Sequence, residues 1–194
     1  MCSSDLASGL GISTSGDGVT FALRASATGL ADATTSTLTA DIVATKIAFT
    51  TQPSDPAASN GSVVSGRVFA VQPVLEAVNE SGQKDLHLSN VPVTLAVQSD
   101  AIALLGTATT NWVSGRAAFA GLSASATGDA APFTLSATSA GLISADSNAL
   151  VADIVATQMV FTTQPAHGGL ATDDVLSGAP FQTQPTIQAR DADE

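Results

Sequence analysis

Apolar and polar residues alternate along several stretches of this chain. In VPVTLAVQ at 91–98 the valines and Leu95 share one face, whereas Thr94 and Gln98 lie on the other. FTLSAT at 133–138 and KIAFT at 46–50 alternate in the same way. A period of two residues indicates half-buried antiparallel strands, and no stretch carries the apolar stripe of an amphipathic helix.

The alternating stretches are separated by sequences typical of turns. NESGQ at 79–83 and VSGR at 113–116 are predicted hairpin turns. Many short strands in about 110 residues favour a two-sheet sandwich. The predicted strands lie near 45–51, 68–78, 84–88, 91–98, 101–109, 116–122, 132–139 and 146–154.

One thirteen-residue phrase occurs twice. DIVATKIAFTTQP at 41–53 and DIVATQMVFTTQP at 153–165 differ at three positions. We call the spacing from Asp41 to Asp153 the repeat offset. At this offset, 30 of the 74 pairs formed by 9–82 and 121–194 are identical. Identity at a fixed spacing over this length indicates a tandem duplication.

The phase of the repeat predicts three parts. Residues 1–44 are the C-terminal part of one repeat, 45–156 are a complete repeat, and 157–194 are the N-terminal part of the next. Because part of a module cannot bury its own apolar face, we expect the chain to belong to a longer array. MCSSDL at 1–6 resembles a translated sequencing-adapter end and is set aside as an artefact.

Comparison of the two copies predicts the core. Six of the seven phenylalanines pair at the repeat offset, and together with Trp112 they are expected to anchor it. Leu75 and Ala77 remain apolar in the second copy and are assigned to the core. Val74 and Val78 become threonine and arginine there, so these two positions are expected to face water.

Composition narrows the choice of partners. The net charge is −11, which disfavours binding to nucleic acid or to anionic membranes because both are polyanionic. No apolar run approaches the roughly 18 residues needed to span a bilayer, so membrane insertion is not expected. Cys2 is the single cysteine, which excludes an intrachain disulfide framework.

The strand and turn motifs of the chain resemble those of a known family. The chain is similar to the immunoglobulin-like (Ig-like) repeats of large bacterial surface and secreted proteins in three stretches. They are FTTQP followed by SG, Phe and QP, then GTATTNWVSGRAAFAGL, then FTLSATSAGL. The resemblance implies an all-β fold of tandem Ig-like antiparallel sandwiches, whose period is the repeat offset. It also implies an extracellular or cell-surface location, with an export signal outside this fragment.

The sequence contains no pattern typical of catalysis, so no enzyme activity is expected. It has no nucleophile elbow, phosphate-binding loop or zinc motif, and His87 and His167 are both assigned to the surface rather than to ligand or base roles.

The acidic residues make calcium the candidate cofactor, because hard cations bind clustered carboxylates. Two candidate ligands, Asp41 and Asp153, lie at the joins between repeats, which are the ADIVAT stretches at 40–45 and 152–157. The third is Asp129, which lies in a turn together with its equivalent in the other copy, Asp17. Small acidic groups also occur at Asp173 and Asp174 and at Asp191, Asp193 and Glu194, yet no calcium-loop motif is present.

The sequence is compatible with two functions. The first is a spacer or stalk module of an adhesin-like protein, whose partners are the neighbouring repeats of the same chain. The alternative is an adhesion module that binds a cell-surface glycan or a host protein. Trp112 is the one candidate platform for such a ligand, although a buried tryptophan is the expected state.

Overall fold

The computed structural model describes residues 9–58, 62–167 and 177–190. Every regular element in these residues is a β-strand. The described part of the chain has no helix long and apolar enough to cross a membrane. The all-β prediction is therefore confirmed.

The first part of the chain, residues 9–44, forms two small antiparallel pairs. Strand β1 (Val19–Phe21) pairs with β4 (Leu38–Ala40), and β2 (Arg24–Ala25) pairs with β3 (Ala33–Thr34). We call residues 9–44 the N-terminal segment. Most of its side chains are exposed.

Residues 45–156, which we call the central unit, contain the next twelve strands of the described chain. They are β5 (Lys46–Thr51), β6 (Val63–Val64), β7 (Val74–Val78), β8 (Pro92–Val97), β9 (Ile102–Leu105), β10 (Thr109–Asn111), β11 (Arg116–Ala118), β12 (Ser123–Ala126), β13 (Ala131–Phe133), β14 (Leu135–Ser139), β15 (Ala145–Asp146) and β16 (Leu150–Asp153).

These strands form several sheets around one core. One sheet has the order β11-β7-β5 and a second has the order β10-β8-β14-β15. Two smaller sheets, β12-β9 and β13-β16-β6, complete the unit, and β16 runs parallel to β6. Leu75 of the first sheet and Leu95 and Leu135 of the second belong to the same buried cluster, an arrangement compatible with a β-sandwich.

The last described part, residues 157–190, contains one antiparallel pair. Strand β17 (Gln158–Thr163) pairs with β18 (Thr186–Arg190), and the register shifts between Phe161 and Thr163. We call this part the C-terminal segment.

The strand registers recur at the repeat offset. Val19 pairs with Ala40 as Ala131 pairs with Ala152, and the β2–β3 register recurs in β14–β15. The register shift of the β17–β18 pair lies one repeat offset after the same irregularity between β5 and β7. Equivalent sequences at the two positions therefore adopt the same local pairing.

The predicted aromatic core is confirmed in the central unit. Trp112 is completely buried and Phe133 is 4% exposed, while Phe49 packs against the core from its edge. The Trp112 indole Nε1–H donates a hydrogen bond to Ser139 Oγ at 3.0 Å, which satisfies its one polar group. Leu75 and Ala77 are also fully buried, as expected.

The prediction that Val78 faces water is wrong, since its exposure is only 4%. Val78 ends β7, where its backbone pairs with Lys46 on one side and Lys84 on the other. The equivalent residue in the second copy is Arg190, which is why comparison of the copies predicts an exposed position.

The predicted strand at 84–88 is a turn, apart from a single bridge at Lys84. The predicted strand at 101–109 is interrupted at Gly106, whose φ is +96°. A Cβ at that position would overlap the carbonyl oxygen of Gly121, so close backbone packing requires glycine there. The predicted strands at 132–139 and 146–154 each divide in two.

The predicted VSGR turn is a two-residue hairpin. Val113 and Arg116 exchange both backbone hydrogen bonds, at 2.9 and 3.0 Å. Ser114 and Gly115 between them both have positive φ, as a type I′ turn requires.

Candidate functional site

The N-terminal segment meets the central unit at a group of polar side chains. One potential ligand atom from each of Asp17, Asp41, Asp85 and His87 lies within 4.8 Å of the others. We call these four residues the junction cluster. The sequence predicts Asp41 at this join and Asp17 in a turn, both as calcium candidates, and it does not point to Asp85 or His87.

Asp17 links the two parts of the chain. Its Oδ1 accepts a hydrogen bond from the backbone N–H of Ile42 at 2.9 Å. Its Oδ2 accepts one from the N–H of Leu86 at 2.7 Å and lies 3.0 Å from His87 Nδ1. The Asp17 side chain is fully buried, so a single carboxylate holds the N-terminal segment, the join and the central unit together.

The local sequence places Asp17 in a turn. Thr14 Oγ1 donates to the carbonyl of Gly16 at 2.8 Å, and Gly18 has a φ of +74°. The N–H of Gly18 then bonds to the carbonyl of Ala40, which returns the chain to the join. The turn thus presents the Asp17 carboxylate beside Ile42.

Asp85 shapes the opposite side of the cluster. Its Oδ1 accepts the N–H groups of His87 and Leu88, both at 2.9 Å, which is the local bonding that favours a turn over a strand. Its Oδ2 accepts the N–H of Ala44 at 3.1 Å. Asp85 is buried, and it therefore fixes both the turn and the end of the join.

His87 faces two carboxylates. Its Nδ1 is 3.0 Å from Asp17 Oδ2 and 3.2 Å from Asp41 Oδ1, while two thirds of the side chain remains exposed. A further bond crosses the same boundary, from Gln83 Nε2 to the carbonyl of Thr14. The contact between the segment and the unit is therefore polar and directional.

The junction cluster shifts the pKa values of Asp17 and His87. The backbone N–H of Ile42 lowers the pKa of Asp17, assisted by the N–H of Leu86 and the charge of His87, while burial acts in the opposite direction. The charge of Asp17 is the main cause that raises the pKa of His87, and Asp41 adds to it.

These shifts predict that the join is pH-dependent. A raised His87 pKa contributes stability that is fully present below its ordinary value of 6.5 and is lost as the pH rises through the raised value. The lowered Asp17 pKa contributes stability that is present above 3.8 and is lost as the pH falls through the lowered value. The join should be tightest between these limits.

An NMR titration of the His87 ring and the Leu86 amide between about pH 5 and 8 measures this dependence. We expect both signals to report one transition above pH 6.5. Asp17→Asn should move that transition down, and His87→Gln should remove it from the Leu86 amide. A His87 transition unaffected by Asp17→Asn would contradict the predicted coupling.

The junction cluster is also the place where the described residues could hold a cation. Three carboxylates and one imidazole supply the donor atoms, and carboxylate oxygens suit calcium. Both oxygens of Asp17 and both of Asp85 already accept N–H bonds, and His87 faces the remaining charge. An ion would replace protonated His87 as the positive charge, and calcium binding stays a prediction.

The other two calcium candidates lie at the second join. Asp129 Oδ1 accepts the N–H of Ile154 at 3.0 Å, the same bond that Asp17 makes with Ile42, and Asp153 is buried. Within the described residues neither belongs to a group of three or more ligands. The equivalents of Asp85 and His87 would be positions 197 and 199, beyond the 194-residue sequence. Asp173, Asp174, Asp191, Asp193 and Glu194 lie outside the described residues.

A local signal for Asp85 was present in the sequence. An aspartate favours a turn because its side chain can accept hydrogen bonds from the backbone N–H groups that follow it, and Asp85 opens DLHL. The partnership of His87 with Asp17, 70 residues away, needs the fold and has no sequence signature.

No family model, curated protein or solved structure shows a significant match to this chain.

Proposed function

We propose that the chain is a non-catalytic spacer built from tandem Ig-like β-sandwich repeats of a large surface or secreted protein. Its partners in this role are the neighbouring repeats of the same chain, and its location is extracellular or on the cell surface. The family resemblance of the strand and turn motifs supports the role.

The recurrence of structure at the sequence period supports the repeat interpretation. Beyond the strand registers, equivalent side chains make equivalent bonds: Gln72 Nε2 and Gln184 Nε2 each donate to the carbonyl of the phenylalanine three residues earlier, at 2.9 Å. Identical local geometry one repeat offset apart is expected of copies of one module.

The single observation that carries the spacer proposal is the Asp17 contact. A spacer must resist bending between its modules, and flexible linkers do not. Here a buried carboxylate from one side of the join accepts two backbone hydrogen bonds, one from the join and one from the unit beyond it. Charge-assisted bonds of this kind define an orientation as well as a distance.

The alternative of ligand binding depended on Trp112 as a platform. Trp112 has no exposed surface, and its indole N–H is already bonded to Ser139. No exposed aromatic side chain of the central unit is present among the described residues to replace it. The spacer is therefore the function that the geometry supports best.

The proposal predicts that Asp17→Ala loosens the first join. Residual dipolar couplings, which report orientation, should fit one alignment tensor for the N-terminal segment and the central unit of the unaltered chain. In Asp17→Ala the two parts should need different tensors, because the bonds to Leu86 and His87 are lost.

Asp129→Ala is the matched control for this experiment. Asp129 makes the equivalent bond to Ile154, but the residues that would follow as its Leu86 and His87 lie beyond the 194-residue sequence. It should leave the tensor of the N-terminal segment unchanged. Independent orientation of the two parts in the unaltered chain would overturn the spacer proposal.

A further inference from the structure

The first and last parts of the central unit run side by side in the same direction. The N–H of Ile143 donates to the carbonyl of Thr45 at 2.9 Å, and the N–H of Ile47 donates to the carbonyl of Ile143 at 3.0 Å. These bonds form a parallel bridge in which Lys46 lies opposite Ile143. The chain that enters the unit from the first join is therefore bonded at once to a segment near the end of the unit.

The same alignment recurs where the chain leaves the unit. There β6 pairs in parallel with β16. The N–H of Ser62 donates to the carbonyl of Val151 at 2.8 Å, and the N–H of Ser65 donates to the carbonyl of Asp153 at 2.9 Å. The chain that continues into the second join is thus bonded to a segment near the start of the unit.

A side chain connects the two parts between these points. Gln52 Oε1 accepts a hydrogen bond from the backbone N–H of Asn148 at 3.1 Å. We call the contacts of residues 45–52 and 62–65 with residues 143–153 the parallel seam. Residue numbers rise together along it, from 45 with 143, through 52 with 148, to 65 with 153. The seam therefore begins at the first join and ends at the second.

The strands that meet the joins are each held by a further neighbour. Strand β5 also pairs with β7, and β16 lies between β13 and β6. Neither strand can leave the unit without losing hydrogen bonds to two segments of the chain. Both ends of the seam are therefore anchored in the sheets of the unit.

We propose that the central unit bears tension along the chain, and that the parallel seam carries this load in shear. A pull on the two joins draws the start of β5 and the end of β16 in opposite directions. The interstrand hydrogen bonds cross the direction of sliding, so they must break together rather than one after another. This role goes beyond that of a spacer, which requires resistance to bending alone.

Hydrogen bonds outside the seam do not lie between the two joins in this way. The hairpin at 113–116 shows the contrast, because neither β10 nor β11 beside it continues into a join. Val113 and Arg116 bond only across that hairpin. Their bonds remain intact when the seam breaks, so their loss should not change the rate at which tension unfolds the unit.

Single-molecule force spectroscopy of the full chain, held by its two ends at constant force, tests the proposal. Unfolding of residues 45–156 lengthens the chain by roughly 350 Å, which identifies the events that belong to the central unit. Forced unfolding is governed by the unfolding rate, so this rate is the quantity to compare between variants.

Ile143→Pro removes the N–H that bonds to Thr45, and little packing is lost because the Ile143 side chain is 66% exposed. We expect the unfolding rate under force to rise roughly fivefold or more, since a bond that breaks at the barrier stabilises the folded state alone. Gln52→Ala is the second variant. It keeps every backbone–backbone bond, removes the bridge to Asn148 and should also unfold faster under force.

Val113→Pro is the matched control. Val113 is likewise an exposed β-branched residue, and its N–H donates one backbone bond, to the carbonyl of Arg116 at 2.9 Å. Denaturant unfolding followed by Trp112 fluorescence should show a loss of stability in both proline variants. Under force, however, Val113→Pro should unfold at nearly the rate of the unaltered chain.

The proposal fails if Ile143→Pro and Gln52→Ala both unfold under force as slowly as the unaltered chain, or if Val113→Pro accelerates as much as Ile143→Pro. Gln52→Ala decides in the same way should Ile143→Pro not fold. Asp17→Ala alters the join and removes no bond of the seam, so it should leave this rate unchanged. The spacer proposal, tested by orientation, and the load-bearing proposal can therefore fail independently.

Discussion

Replacing Phe133 with alanine should lower the free energy of unfolding of the central unit by about 3–5 kcal/mol. Phe133 lies in β13 opposite Leu150, is 4% exposed and belongs to the buried cluster. Removal of its ring leaves a cavity between packed strands that cannot relax fully. For a unit of this size, the midpoint of thermal unfolding should fall by roughly 10–20 °C.

Trp112 reports this unfolding selectively, because it is the single tryptophan of the chain and lies buried in the central unit. Phe21→Ala is the matched control. Phe21 occupies the same register opposite Leu38 but is only partly buried. The control should leave the Trp112 transition nearly unchanged, and equal losses in the two variants would show that the core lies elsewhere.

Gly115→Ala should destabilise the central unit by about 2–5 kcal/mol and loosen the join as well. The left-handed conformation of Gly115, at φ +66°, costs an alanine about 1–2 kcal/mol. A Cβ would also overlap the carbonyl oxygen of Asp85, and relief of that overlap adds about 1–3 kcal/mol. The peptide group that must move, between Asp85 and Leu86, also carries the Leu86 N–H that bonds to Asp17.

Gly82→Ala separates the two causes. Gly82 has a φ of +80° but no atom within 4 Å of an added Cβ, so only the conformational cost remains. Denaturant unfolding followed by Trp112 fluorescence measures the stability of both variants. Amide exchange at Leu86 then measures the join, and it should accelerate in Gly115→Ala more than in Gly82→Ala. Equal effects of the two substitutions would exclude the overlap.

Local sequence patterns predicted much of the strand content. Alternation identified β8 within one residue of each end, and the Ser114–Gly115 pair identified its hairpin because positive φ favours such residues. Apolar residues at equivalent positions of the two copies placed Leu75 and Phe133 in the core correctly. These features depend on a residue and its near neighbours, which a single sequence displays.

Features that depend on distant contacts were missed. Val78 is buried where its backbone pairs with Lys46 and Lys84, whereas the equivalent Arg190 indicates an exposed site. The sequence places His87 at the surface, in agreement with its exposure, but its partner Asp17 is 70 residues away. Asp41 was selected for its place at the join, and its neighbours could be known only from the fold.

The parallel pair β6–β16 has a consequence for the order in which the chain folds. Val63 lies near the start of the central unit and its partner Ala152 near the end, so β6 cannot be fixed until almost the whole unit has left the ribosome. The stretch LTAD at 38–41, which contains β4, resembles the LVAD of β16 and is synthesised first. We expect it to compete for the same edge of β6 during synthesis, so the central unit risks a mispaired intermediate until β16 arrives.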